Sequence, residues 1–416
     1  MTISSFNSMP ALRTLVVTAV LLATPLLAPA QGGFESPPVF MARDILAADV
    51  VAGPNHRVEE RVENDGFVNH YTITSRFGTV GAVSTAELRQ RIHEMNVVAA
   101  LDALAGTSEF AKNVGSTAGK AVKGAGKLIT HPVSTVSGAV SGVGKLFQRA
   151  GDSVFGAPAS DSEDDAVKRL IGFSSVKRAY AKEFGVDPYS ANPILQEHLE
   201  RVAWAGYAGS IGASAALLAV PGGAGAAISV AKGSETLGEV DVSVAPTDLR
   251  RMSRQRLEAM GVSTEIIDVF LGNTVYAPTT QSRLVAALAG MQGVAGRDTF
   301  IKVALATDSR DVAFYRERQA RLYSGYHRNV TALAGFDPLA GVATGRTASG
   351  KVVVVAPTDY VVWTQSLART FARAGQQGGE REIWLAGGVS DLARSQMEQR
   401  GWKVFDLSED KLLGGN

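Results

Sequence analysis

The chain contains six histidines and no cysteine, so thiolate nucleophiles, thiolate metal sites, disulfides and cysteine-linked lipid anchors are excluded. His56, His70, His93, His131, His198 and His327 are scattered, and no two share the spacing of a metal site. His93-Glu94 opens an H-E-x-x-H pattern, in which two histidines one helical turn apart would hold zinc beside a glutamate base. Val97 stands where the second histidine belongs, and Val202 fills the same place after Glu197-His198. No metal is expected, and each histidine reads as an ordinary surface or half-buried side chain.

Phosphate-loop chemistry fails for a similar reason. Gly126-Lys127 and Gly144-Lys145 supply the terminal pair, but Ala121 and Ala139 replace the first glycine. Leu128 and Leu146 replace the magnesium-binding hydroxyl. Ala208-Gly209-Ser210-Ile211-Gly212 approximates a serine elbow, but its surroundings read as helix rather than strand-turn-helix. Ser174 and Lys177 satisfy S-x-x-K without the partner motifs of that class. These patterns assign no catalytic residue and no cofactor.

The best remaining chemistry lies in the last eighty residues. Lys351–Ala356, Glu382–Ala386 and Trp402–Leu407 read as strands, with helices expected over about 364–374 and 391–400. This β–α–β–α–β order predicts a parallel sheet, and such sheets bind ligands at the carboxyl ends of their strands. Thr358 and Asp359 follow the first strand, Gly387, Gly388 and Ser390 follow the second, and Asp406 lies within the third. Ser390 precedes a helix whose amino terminus could hold an anion, although it is also a good helix cap. These five residues, Thr358, Asp359, Gly387, Gly388 and Ser390, are the candidate ligand-binding set.

Further upstream, His56–Glu63 and Phe67–Arg76 read as strands joined by the hairpin signal Asn64-Asp65-Gly66. Gly78 and Gly81 are expected to bracket the next turn. Ser84 then caps a helix to about Leu104, with Glu87 at the capping-box position. Leu88, Ile92, Met95, Val98 and Leu101 form its expected buried stripe. Helices are also expected from near Leu195 and at about 247–260, 263–271, 279–291 and 298–327.

Between these parts the composition shifts. The fourteen residues from Ser116 repeat at Ser134 with an eighteen-residue offset, rich in glycine, lysine and small residues. His131-Pro132 favours two short helices over one. From Val202 to Ala231 there is no charge. That segment permits three readings: a buried helical hairpin around Pro221-Gly222-Gly223, a membrane-inserting hairpin, or a glycine-rich loop. The repeat, likewise, suits a flexible linker or helices lying on an anionic membrane surface.

The first thirty residues resemble a secretory signal peptide. Arg13 is their only charge, an apolar run covers Leu15–Leu27, and Ala28-Pro29-Ala30 offers a small-x-small site with cleavage after Ala30. The run spans roughly 20 Å of helix at 1.5 Å per residue, short of a hydrocarbon core of about 30 Å. The chain has 41 basic and 40 acidic residues. Losing Arg13 leaves 40 of each, and a neutral balance argues against general nucleic-acid binding.

The expected architecture is therefore an α+β multidomain chain. It comprises a signal peptide (1–30), a lead-in (31–54), a small α+β unit (55–105) and a Gly/Lys-rich repeat linker (106–160). A helical domain with the Gly/Ala-rich apolar hairpin (161–335) and an α/β domain (336–416) complete it. Two functions follow as expectations. The favoured one is an exported periplasmic or envelope protein, non-enzymatic, with membrane or envelope protein partners. The other is a periplasmic enzyme or small-ligand binder that uses the C-terminal sheet edge.

Overall fold

The computed structural model describes residues 33–106, 173–207, 240–374 and 379–414. The expected leader (1–30), both copies of the Gly/Lys repeat, and the uncharged segment beyond Tyr207 lie outside these residues. The described fold mixes helices with several sheets.

An N-terminal arm leads into strand β1 (Val39–Met41) and two single-turn helices, α1 (Ala42–Ile45) and α2 (Ala48–Val51). Strands β2 (Ala52–Gly53), β3 (His56–Val58), β4 (Arg61–Asn64), β5 (Asn69–Ser75) and β6 (Gly78–Val83) follow. The sheet order is β1-β4-β5-β3-β2, and β6 pairs with β5. All the pairings are antiparallel. The hairpin at Asn64-Asp65-Gly66 is present, with Asn64 opposite Asn69. The expected first strand is interrupted at Glu59-Glu60, giving β3 and β4, which pair one after the other along the edge of β5 opposite β6. Gly78 and Gly81 do not bracket a turn. They lie within β6, and the turn sits at Arg76-Phe77. Gly81 opposes Thr72 in a ladder whose inward positions, Val80 and Ala82, supply the burial.

Helix α3 (Thr85–Ala105) packs on this sheet. The Ser84 side chain accepts the Glu87 amide, and the Glu87 carboxylate accepts the Val83 amide. Of the expected stripe, Leu88, Met95, Val98 and Leu101 are fully buried, and Ile92 packs beside them half-buried. Each such side chain contributes about 1.5–3 kcal/mol on leaving water. A helix over 173–183, labelled α4, and α5 (Pro193–Tyr207) complete this core through Tyr180, Phe184, Leu195 and Leu199. Asn192 starts α5 by accepting the Ile194 and Leu195 amides, with Pro193 in the first helical position.

Helices α6 (Pro246–Ala259), α7 (Thr264–Gly272) and α8 (Pro278–Gly290) follow as expected. The single helix expected over 298–327 is two, α9 (Arg297–Ala304) and α10 (Arg310–Asn329). Ser309 caps the second by accepting the Val312 amide, a stop-and-start that Thr307-Asp308-Ser309 encodes.

Strands β7 (Leu333–Leu339) and β8 (Val342–Thr347) form an antiparallel hairpin beside β9 (Val352–Ala356). Helix α11 (Gln365–Ala374), strand β11 (Arg381–Leu385), helix α12 (Asp391–Glu398), strand β13 (Lys403–Phe405) and helix α13 (Glu409–Leu413) complete the chain. The sheet order is β13-β11-β9-β8-β7, with β9, β11 and β13 parallel. The anticipated β–α–β–α–β order is present in these elements. Short strands β10 (Tyr360–Val361) and β12 (Gly388–Val389) pair in parallel just beyond β9 and β11. One core joins α6–α10 to this sheet through Tyr323, Val353, Val355 and Trp384. The cluster around Trp363, Trp402 and Met397 includes residues of α11 and α12.

Candidate functional site

The five residues singled out at the carboxyl ends of β9 and β11 come together, but they face the chain's own N-terminal region. Gly387 allows the closest approach. A Cβ there would stand 2.0 Å from the Asp359 carbonyl oxygen and 2.6 Å from that of Thr358. The Gly388 amide donates to the same Asp359 carbonyl at 2.9 Å. These glycines let the two strand ends touch.

Asp359 turns its carboxylate onto the N-terminal sheet. It accepts the Asn69 amide at 2.9 Å and the Thr85 amide at 3.0 and 3.1 Å. Thr85 begins α3, so its N–H has no acceptor within the helix, and a carboxylate at this pole is favourable. Burial nevertheless raises the Asp359 pKa above the ordinary carboxylate range, against the two amide donors and the Arg318 charge. Tyr71, hydrogen-bonded to the Thr85 hydroxyl at 2.7 Å, is pushed up to about 12, chiefly by burial. Arg318, on α10, is drawn down to about 10 by burial and is paired with Glu409.

The backbone continues the same contact. The Asp359 amide donates to the Phe67 carbonyl at 2.9 Å, and the Val362 amide to the Gly66 carbonyl at 3.2 Å. The Asn64 side chain donates to the Tyr360 carbonyl at 3.2 Å. The Asn64-Asp65-Gly66 turn thus does more than reverse a hairpin: it sits on the strand ends of the C-terminal sheet. Gly66, at φ +105°, needs its glycine for that conformation.

Ser390 caps α12 by accepting the Ala393 amide at 3.1 Å, as its position suggested. Its hydroxyl also donates to the Glu35 carboxylate at 2.6 Å. The same carboxylate oxygen accepts the Trp363 amide at 2.5 Å, and the Glu35 amide donates to the Trp363 carbonyl at 2.9 Å. Sequence reasoning missed Glu35, Asn69 and Thr85, because nothing local ties them to residues some 300 positions away. Thr358 is the exception among the five. It is 3% exposed, and its hydroxyl has no partner among the described residues.

The other motif residues are engaged elsewhere. Lys177 pairs with Glu200 at 2.9 Å and Asp406 with Arg394 at 2.8 Å. His56, His93 and His198 contact the backbone carbonyls of Val50, Gly185 and Ile194, and His327 accepts the Leu333 amide. His70 lies on the surface beside Asp65. His131 and Ser210 fall outside the described residues. Among the described residues no group of three or more metal-ligating side chains converges. Two cavities of about 30 and 110 Å³ lie away from this edge, among α6–α8 and the residues before them. Both are far below the volume of a typical small-molecule site.

The chain matches no known protein family, no curated protein and no solved structure. Its function is therefore read from this geometry and from the sequence.

Proposed function

We propose that this chain is an exported protein of the periplasm or cell envelope that works by association with membrane or protein partners rather than by catalysis. One observation carries the reading. The carboxyl ends of β9 and β11, where an α/β sheet would hold a substrate, are closed by the chain's own residues. Asp359 is engaged by Asn69 and Thr85, and Ser390 by Glu35. The leader-like first thirty residues, the cysteine-free composition and the formal neutrality after loss of Arg13 support the location and argue against nucleic acid as a partner. Among the described residues no helix is long and apolar enough to cross a membrane. Insertion would therefore fall to the uncharged segment Val202 to Ala231, which is described only as far as Tyr207.

The test is fractionation of cells expressing the full chain, with salt and carbonate washes of the membranes. Association that survives high salt supports the reading, and retention after carbonate assigns insertion to the uncharged segment. A chain found in the cytoplasm, or freely soluble and alone in the periplasm, overturns it.

A second reading, a small-ligand binder, has in its favour the Thr358 hydroxyl, which lacks a partner among the described residues. It requires a thermal stability that rises with a small anion or metabolite and loses that response in Thr358→Val.

A further inference from the structure

The contacts of Phe34 and Glu35 are those of a bound peptide rather than of a packed core. Glu35 pairs with Trp363 in both directions, amide to carbonyl at 2.9 Å and carboxylate to amide at 2.5 Å. Ser390 adds its hydroxyl at 2.6 Å. Phe34 lies half-buried against the cluster that includes Trp363, Leu367 and Val361. Main-chain pairing, one acidic anchor and one aromatic anchor are the elements by which extended peptides are recognised. The receiving side is built into the fold: Ser390 caps α12, Trp363 packs against Phe371, and with the arm in place they are 7% and 2% exposed. The supplying side is peripheral, since Gly33, Ser36 and Pro37 are exposed and β1 does not begin until Val39.

We propose that the Trp363–Ser390 seat is a binding site for an extended aromatic–acidic segment of a partner protein, which the chain's own Phe34-Glu35 occupies until the partner displaces it. This deepens the association reading above and rests on it. Among the described residues no lysine or arginine bonds the seated carboxylate, so acid recognition depends on two neutral donors that meet one oxygen. Glu35→Gln would remove the charge-assisted character of both bonds. The arm competes at the high effective concentration of a short tether, so only a better-matched or multivalent partner segment takes its place.

The probe is a synthetic peptide with the sequence of residues 33–38, with and without a glutamate-to-glutamine change, titrated onto the purified full chain. Binding to F34A/E35A is expected at least tenfold tighter than to the wild type, where the arm occupies the seat. The glutamine peptide should bind that variant about tenfold more weakly, and S390A added to it should shrink the difference. Absence of saturable binding to a cooperatively melting F34A/E35A chain, or equal binding of the two peptides, overturns the proposal. If F34A/E35A does not fold, E35Q replaces it with the same expectations. A concentration-dependent dimer of the wild type that is lost in E35Q would assign the seat to a second copy's arm and overturn the partner-protein reading. Because these measurements use purified chain, they stand or fail independently of the fractionation result.

Discussion

The carboxylate of Asp359, at the end of a C-terminal strand, accepts the amide of Thr85, the first residue of α3, across 274 residues of sequence. It holds the Asn69 amide at the same time. One side chain thus caps the main helix of the N-terminal sheet and fixes that sheet to the edge where a ligand would otherwise enter.

Asp359→Ala leaves two backbone donors without their acceptor, at about 1–3 kcal/mol each. Urea unfolding should show a loss of about 2–4 kcal/mol. A change below about 0.5 kcal/mol would mean that water or a neighbour replaces the carboxylate without cost.

The pH dependence of the same residue has a definite sign. Burial raises its pKa, so the folded chain holds that proton more tightly than the unfolded chain. Its contribution is fully present below the unfolded value of about 3.9 and is lost as pH rises through the folded pKa. The stability of the wild type relative to Asp359→Asn should therefore decline with rising pH across that window and then level off. A difference that grows with pH contradicts this.

Arg91 lies buried between Glu87, at 2.5 Å, and Glu94, at 2.8 Å, and also donates to Ser190 at 2.8 Å. Arg91→Met strands two buried carboxylates and should cost about 3–5 kcal/mol. Arg251, exposed and paired with Asp248 at 3.1 Å, provides the contrast: Arg251→Met should cost less than about 1 kcal/mol. Chemical denaturation of both variants checks the pair.

His198 and His327 both have pKa values lowered, principally by burial. Their stabilisation is present above the unfolded value of about 6.5 and is lost as pH falls through the lowered folded values. The melting temperature should drop between about pH 7 and about pH 5. H198Q/H327Q should show a shallower drop, and an equally steep one would place the acid sensitivity elsewhere.

Local order was legible in the residues themselves. Ser84 with Glu87 announces α3, Asn64-Asp65-Gly66 announces a hairpin, and Lys351–Ala356 announces β9. The positions of Asp359 and Ser390 followed from the general behaviour of parallel sheets. Gly78 and Gly81 misled because glycine marks turns more often than strands, whereas here the burial of Val80 and Ala82 decides. β7 was hidden by Pro338, a residue usually confined to sheet edges and strand ends, and β7 is an edge strand. The partners of Asp359 and Ser390 were illegible because a backbone amide has no sequence signature and Glu35 is one acid among 40 acidic residues.

Amide hydrogen exchange at Asn69, Thr85 and Trp363 tests most directly whether the C-terminal sheet edge is a closed face. A closed face requires that Asn69 and Thr85 exchange only with global unfolding and that Asp359→Ala speeds both, whereas Trp363, beneath the displaceable Glu35 arm, exchanges by local opening that Glu35→Gln speeds further. Rapid exchange of Asn69 and Thr85 in the wild type, by local opening far below the global stability, would mean that the edge stands open to ligand and would contradict it.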